Sequence, residues 1–322
     1  KGYTCNYYIL KYNKRLKEKH FQLLILSPLK RTWGINMKTK KSKRTVPILW
    51  LLVFGILITG CRGGGKQPKA MAQEGAEVRV RFLKTAEDAD CIIISCGERS
   101  VIIDTGEEQD GERMLGALEE QGITSVDYLF LTHPDKDHVG GAALLLESLP
   151  VYHVVEPLYQ GEEKKEGRFD RLEESCGEKG IPVITPTEEW MADTGYLELT
   201  VYPPQETFYE KANNYSLAVL VSHGDVHMFF AGDALRIRSE ELLELTLPEI
   251  DLYKVPHHGR ANKATEELFK KVDPEYAVVT AYAAEDEVKQ SCAEQGVRLF
   301  LTGERDWEFI SDGKELYPVD GE

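Results

Sequence analysis

Short apolar runs alternate with amphipathic stretches along the chain from residue 78 to residue 319. Alternation of this kind predicts an α/β fold, because short apolar runs fit buried strands and apolar residues spaced three and four apart fit helices. The pattern predicts strands at 78–83, 91–96, 101–104, 126–132, 151–155, 183–185, 197–202, 217–222, 226–231, 252–255, 276–280 and 297–301. It predicts helices at 112–121, 141–148, 169–178, 239–245, 265–271 and 285–295.

Several of the predicted strands end in polar side chains. Apolar runs are followed, directly or after one further residue, by Asp104, His133, Asp233 and His257. Polar groups at the carboxyl ends of strands converge on one crevice of an α/β sheet. The sequence therefore predicts a single functional crevice at these strand ends.

The first part of the chain has the order of a secretory signal. A basic stretch from Met37 to Arg44 precedes an apolar run at 46–60 and then Cys61. We interpret 37–60 as a lipoprotein-type signal peptide and Cys61 as the lipid-bearing residue on the extracytoplasmic face of a bacterial cell membrane; an uncleaved single-pass anchor is the alternative. Residues 1–36 precede this signal without an initial Met, and we interpret them as over-extended translation. The Gly-rich stretch 61–77 is expected to be a flexible tether before one domain at 78–322.

Charge is divided unevenly along the chain. Residues 61–322 hold 26 Lys and Arg against 53 Asp and Glu. Such an acidic body repels polyanions, which argues against a broad nucleic-acid-binding face but not against a small pocket lined by metal ions. Apart from Cys61, this part of the chain has four cysteines, which match no metal-binding spacing and are expected to be buried thiols: Cys91, Cys96, Cys176 and Cys292.

The strongest chemical signal is the run His133-Pro-Asp135-Lys-Asp137-His138. Four potential ligands within six residues, between a strand and a helix, can reach two neighbouring cations. Mixed carboxylates and imidazoles suit Zn or Mn, so we expect one or two divalent metal ions. The alternative is a polar loop that only caps the following helix.

These segments resemble the metallo-β-lactamase superfamily. The matching segments occur in order at 103–106, 133–138, 213–217, 232–233 and 255–259. With Asp135 where many members have a histidine, the pattern is similar to the hydrolase domain of ComEC-type DNA-internalisation competence proteins. The resemblance implies a four-layer αββα sandwich.

The resemblance also implies roles for individual residues. His133 and Asp135 would bind one metal ion, Asp137 and His138 the other, and Asp233 both. His257 would complete the second site, and a hydroxide held by the metal ions would be the nucleophile. Three residues are expected to orient these ligands without binding metal: Asp104, Asn213 and Asn214. His258 is expected to orient a ligand, contact the substrate or donate a proton. Neutral amides are weak ligands for transition metals, so the two asparagines predict a weaker first site.

Three functions are compatible with these features. The first is a hydrolase of phosphodiesters, acting in DNA uptake or on extracellular nucleic acid, with single-stranded DNA as a candidate partner. The second is a hydrolase of a small phosphoester, lactone or thioester at the cell envelope, which suits the acidic body better. The third is a lipoprotein that keeps the scaffold for binding without catalysis.

Overall fold

The computed structural model describes residues 76–319, apart from the side chains at 163 and 164. The strands of this part of the chain are β1 (Val78–Phe82), β2 (Cys91–Cys96), β3 (Arg99–Thr105), β4 (Tyr128–Phe130), β5 (Val154–Val155), β6 (Val183–Ile184), β7 (Trp190–Asp193), β8 (Glu198–Tyr202), β9 (Ala218–His223), β10 (Val226–Phe230), β11 (Leu252–Lys254), β12 (Tyr276–Val279), β13 (Arg298–Leu301), β14 (Trp307–Ser311) and β15 (Leu316–Val319). The helices are α1 (Gly111–Glu120), α2 (Lys136–Val139), α3 (Ala142–Ser148), α4 (Glu163–Lys179), α5 (Arg236–Leu243), α6 (Thr265–Val272) and α7 (Asp286–Gln295).

The strands form two mixed sheets that pack face to face. One sheet has the order β15-β14-β1-β2-β3-β4-β5-β6, and the other has the order β13-β12-β11-β10-β9-β8-β7. Alternate residues of each strand point between the sheets, as in β1, where Val78, Val80 and Phe82 are fully buried. The rings of Phe82 in β1 and Phe230 in β10 lie 6.1 Å apart across this interface. The largest apolar cluster therefore lies between the sheets.

Helices cover the outer face of each sheet. The outer side chains of β2, β3 and β4 pack against α1, α3 and α4. Those of β9 to β12 pack against α5, α6 and α7. The resulting order of layers is helix, sheet, sheet, helix, which confirms the predicted αββα sandwich. Cys91 and Cys96 of β2 lie in different clusters, on opposite faces of the sheet.

The structure also contains elements that the pattern did not predict. The strands β7, β14 and β15 were missed, and β15 is an edge strand interrupted by Pro318, a residue that argues against strand structure in a sequence. Helix α4 begins at Glu163. The hydrophobic pattern placed its start at residue 169, because the first turn contains no apolar residue. His223 ends β9, beside the turn that leads to β10. Its imidazole is buried, since the turn between β9 and β10 packs on the β14–β15 turn and Nδ1 lies 2.9 Å from Oγ of Ser311.

Some predictions lie outside the described residues. These are the over-extended segment 1–36, the signal peptide 37–60, the lipid site at Cys61 and nearly all of the tether 61–77. Within residues 76–319, no helix is both long enough and apolar enough to cross a membrane.

Candidate metal centre

Loops that follow four strands meet at one end of the two sheets. Asp104 lies near the end of β3, and the chain after β4 leads to His133. Similarly, β10 leads to Asp233 and β11 leads to His258. The strands of each pair are parallel neighbours, so their carboxyl ends lie at the same edge of a sheet. The polar strand ends noted in the sequence are thereby brought together.

Two carboxylates and two imidazoles form a compact group of potential metal ligands. One ligand atom from each of Asp137, His138, Asp233 and His258 lies within 4.8 Å of the other three. Oδ2 of Asp233 lies 3.3 Å from Nε2 of His138 and 3.2 Å from Nε2 of His258. Asp137 is 27 % exposed while the other three side chains are buried, so the group opens to solvent on the Asp137 side.

Each histidine of this group is held at its other ring nitrogen. Nδ1 of His138 lies 2.7 Å from Oδ2 of Asp104. Nδ1 of His258 lies 3.1 Å from Oγ1 of Thr280, whose hydroxyl donates a hydrogen bond to Oδ1 of Asp90 (2.5 Å). Contacts of this kind fix the orientation of a metal-binding imidazole and direct Nε2 toward the metal. Asp104 thus has the position from which it could orient a ligand, as the sequence predicted.

His133 and Asp135 lie beside this group. Nε2 of His133 is 4.0 Å from Oδ2 of Asp233 and 3.8 Å from Oδ2 of Asp135. The other oxygen of Asp135, Oδ1, is 2.7 Å from Nζ of Lys165. The predicted first metal site therefore has fewer donor atoms close together than the second.

The two asparagines do not share one role. Nδ2 of Asn213 donates a hydrogen bond to Oδ2 of Asp233 at 3.3 Å. Oδ1 of Asn214 instead accepts from the backbone N–H of Arg238 in α5. Of the two asparagines, Asn213 contacts a candidate ligand. Asn214 instead caps a backbone N–H in the first turn of α5, the helix that follows Asp233.

The structure places His258, and not His257, in the ligand group. Both residues have left-handed backbone conformations, with φ of 52° at His257 and 53° at His258. Nε2 of His257 accepts from Nη1 of Arg260 at 3.4 Å, and its ring centroid is 6.2 Å from that of His258. Left-handed conformations of non-glycine residues cost about 1–3 kcal/mol each and concentrate at functional sites. The resemblance implied that His257 completes the second site, whereas the grouped ligand atoms include one from His258 and none from His257.

Buried carboxylates dominate the electrostatics of the centre. Burial disfavours the charged form of His138, but Asp233 and Asp104 outweigh burial and raise its pKa well above the usual value of 6.5. Burial and the neighbouring His138 lower the pKa of His133 to about 3. The surroundings of His138 therefore favour a positive charge at this imidazole. The imidazole of His133 stays neutral, which is the form that binds metal.

An ion pair that the sequence did not reveal lies behind the centre. The ammonium of Lys254 contacts the carboxylate of Asp90, and both side chains are 1 % exposed. Nζ also donates to the carbonyl of Gly232 (3.0 Å) and lies 3.5 Å from Oδ1 of Asp233. The signals available were a lysine within the apolar strand β11 and an aspartate immediately before β2.

The described residues fit a divalent cation. Nε2 atoms of three buried histidines lack a hydrogen-bond partner among the described residues: His133, His138 and His258. Buried polar atoms without partners are costly, and a metal ion would satisfy them. A second cluster of potential metal ligands consists of Asp90, Asp104 and His138. The ammonium of Lys254 already supplies a positive charge to this cluster, through its contact with Asp90.

The sequence matches a known protein family over most of the described residues. Residues 85–281, more than half of the chain, match the model of the metallo-β-lactamase superfamily. The chain belongs to this superfamily. Its members are generally metal-dependent hydrolases, and the fold binds one or two metal ions.

Curated relatives within the superfamily match at modest identity. Recombination protein 2 of Haemophilus influenzae is 26% identical over 208 residues, which cover 63% of this chain and 24% of that protein. ComE operon protein 3 of Bacillus subtilis is 28% identical over 174 residues, covering 53% of this chain and 22% of that protein. These matches confirm the resemblance to ComEC-type proteins. The aligned part spans about a quarter of each relative.

A solved structure supports the fold alone. The metallo-β-lactamase fold protein YhfI of Bacillus subtilis superposes with a TM-score of 0.51 at 12% identity. The superposition covers 72% of this chain and 99% of YhfI.

Proposed function

We propose that the protein is a metal-dependent hydrolase that cleaves phosphodiester bonds, with single-stranded DNA as a candidate substrate. The observation that carries the proposal is the group of Asp137, His138, Asp233 and His258, whose ligand atoms lie within 4.8 Å of one another. The similarity to two ComEC-type DNA-internalisation proteins is our reason for favouring a phosphodiester of DNA as the substrate.

The residues of the centre have distinct tasks in this proposal. A divalent cation would lower the pKa of a bound water and withdraw charge from a phosphoryl oxygen. Asp104 and Thr280 hold the imidazoles of His138 and His258 with Nε2 directed into the group. Burial of these imidazoles keeps solvent from the rear of the site. Asp137, the exposed member, marks the side from which substrate approaches.

The sequence also suggested that His258 contacts the substrate or donates a proton. Its Nε2 lies 3.2 Å from Oδ2 of Asp233 and 3.4 Å from Oδ2 of Asp137, inside the ligand group. Its Nδ1 faces Thr280 and Asp90, away from the opening. An Nε2 atom that binds a metal ion has no proton to donate, so we assign His258 to metal binding alone.

The proposal includes a location. We propose that the enzyme acts on the extracytoplasmic face of a bacterial cell membrane and is attached there by a lipid on Cys61. The basic stretch, apolar run and Cys61 in the order of a lipoprotein signal support this location.

The charge of the body favours a second candidate function. Residues 61–322 contain twice as many acidic as basic side chains, 53 against 26. This surface repels a long polyanion more strongly than a small ester, so a small phosphoester at the cell envelope is the alternative substrate. Binding of single-stranded DNA that weakens steeply with salt would favour the first candidate.

Cleavage of bis-p-nitrophenyl phosphate and of single-stranded DNA tests the proposal. The protein is assayed with added Mn or Zn beside the variants Asp233→Asn and Asp286→Asn, the second being a control at a carboxylate 96% exposed. We expect metal-dependent cleavage that is retained in the control and reduced more than about 100-fold in Asp233→Asn. Absence of turnover on both substrates in metal-loaded protein would refute the phosphodiesterase proposal.

A further inference from the structure

Two basic side chains of α4 lie over the loop that carries the metal ligands. Nζ of Lys165 is 2.7 Å from Oδ1 of Asp135, and Nη1 of Arg168 is 3.9 Å from the same oxygen. Nη1 of Arg168 also donates a hydrogen bond to the carbonyl of Pro134 at 2.7 Å. Residues three apart share a helix face, so both side chains reach the loop from one side.

The Asp135 carboxylate connects this basic pair to the centre. Its Oδ1 faces Lys165, while its Oδ2 lies 3.8 Å from Nε2 of His133. That imidazole is fully buried, and its Nε2 has no hydrogen-bond partner among the described residues. The carboxylate of Asp135 therefore lies between the two basic side chains and the unpartnered Nε2 of His133.

Lys165 and Arg168 are accessible, and together they carry more positive charge than the one carboxylate that they contact. The side chains of Lys165 and Arg168 are 23 % and 22 % exposed, so each is partly fixed and partly open to solvent. Two positive charges face the single negative charge of Asp135. An ammonium has three donors and a guanidinium five, so both can hold Asp135 or Pro134 and still bind an anion.

We propose that Lys165 and Arg168 form an anion subsite that binds the non-bridging oxygens of the substrate's phosphoryl group beside the metal centre. The inference rests on the proposed function, since it names the part of the site that selects a phosphoester. A planar guanidinium fixed at one end by Pro134 matches the geometry of two phosphoryl oxygens. The subsite admits an anion locally where the surrounding body repels it.

The alternative is that the pair only attaches α4 to the loop. Variants that remove each charge but keep a polar side chain separate the two roles: Lys165→Gln and Arg168→Gln. Matched controls on the same helix remove exposed charges elsewhere: Lys179→Gln and Arg171→Gln. Each metal-loaded protein is titrated with inorganic phosphate in a calorimeter, and its metal content is measured by elemental analysis.

A subsite predicts weaker phosphate binding with unchanged metal content. We expect the dissociation constant for phosphate, and the KM for bis-p-nitrophenyl phosphate, to rise about tenfold or more in each subsite variant, because each loses a charge-assisted hydrogen bond. The KM for the neutral ester p-nitrophenyl acetate and both controls should stay within about twofold of the unmodified protein.

Phosphate binding within about twofold of the unmodified protein in both subsite variants would overturn the inference, as would equal losses for phosphate and the neutral ester. Failure of the proposed function is a different result. A protein that binds phosphate through this pair but cleaves no phosphodiester would retain the anion subsite and lose the phosphodiesterase proposal.

Discussion

Replacing Lys254 with methionine should destabilise the protein strongly. Its ammonium contacts Asp90, and both side chains are 1 % exposed. Burial opposes the charge on each, but the partner outweighs burial, so that the pKa of Asp90 is lowered and that of Lys254 is raised. Lys254→Met leaves the Asp90 charge buried without its ammonium partner. Loss of one partner of a buried ion pair costs about 3–5 kcal/mol, and we expect a loss of unfolding free energy in this range.

Urea unfolding of metal-free protein measures this loss. The double variant Asp90→Asn/Lys254→Met should recover part of the stability, because it leaves no unpaired charge. The control is Lys270→Met, which removes an exposed ion pair with Glu266 and should leave the unfolding midpoint unchanged. A loss below about 1 kcal/mol in Lys254→Met, or losses that simply add in the double variant, would refute the reasoning.

Three further predictions concern other parts of the molecule. Burial lowers the pKa of His223, so folding favours its neutral form, and this contribution to stability is lost as pH falls below about 6.5. The unfolding free energy should therefore fall less steeply with decreasing pH in His223→Gln than in the unmodified protein. Parallel curves of unfolding free energy against pH would contradict this. His258→Ala should lose bound metal by elemental analysis while His257→Ala retains it, and the reverse order would contradict the assignment. Gly140→Ala should lower the melting temperature, because a Cβ there would lie 2.3 Å from the backbone N of Glu108. The control Gly177→Ala places a Cβ with nothing within 4 Å and should raise stability by about 0.5–1 kcal/mol. Equal shifts in melting temperature for the two variants would argue against the steric cause.

Hydrophobic patterning located most of the sandwich because its central strands are apolar on both faces. Every residue of β2 is buried, since one face meets the other sheet and the opposite face meets helices. The edge strand β15 lacks this signal, because only Leu316 of its four residues is buried and Pro318 interrupts it. Its position is set by pairing with β14, a contact between segments that a single sequence does not reveal.

Local spacing predicted part of the centre. The run from His133 to His138 lies within one loop and one helical turn, so its members were certain to be neighbours. The choice between His257 and His258 was beyond the sequence, because it depends on two successive left-handed residues and on the contact with Thr280.

Long-range partners of the centre could not be predicted from spacing. Lys254 and Asp90 come from different sheets and meet only when the sandwich closes. Lys165 lies in the polar first turns of α4, where the hydrophobic pattern gave no helix and therefore no placement over Asp135.

We propose above all that the group around Asp233 holds a divalent cation and that the enzyme uses it to cleave phosphodiesters. The most direct test measures bound metal per chain and the rate of bis-p-nitrophenyl phosphate cleavage on the same samples, during stepwise addition of Mn to chelator-treated protein. We predict that rate rises in proportion to bound metal and that Asp233→Asn neither binds the metal nor gains activity. Full activity in the metal-free protein, or bound metal without any cleavage, would contradict the account.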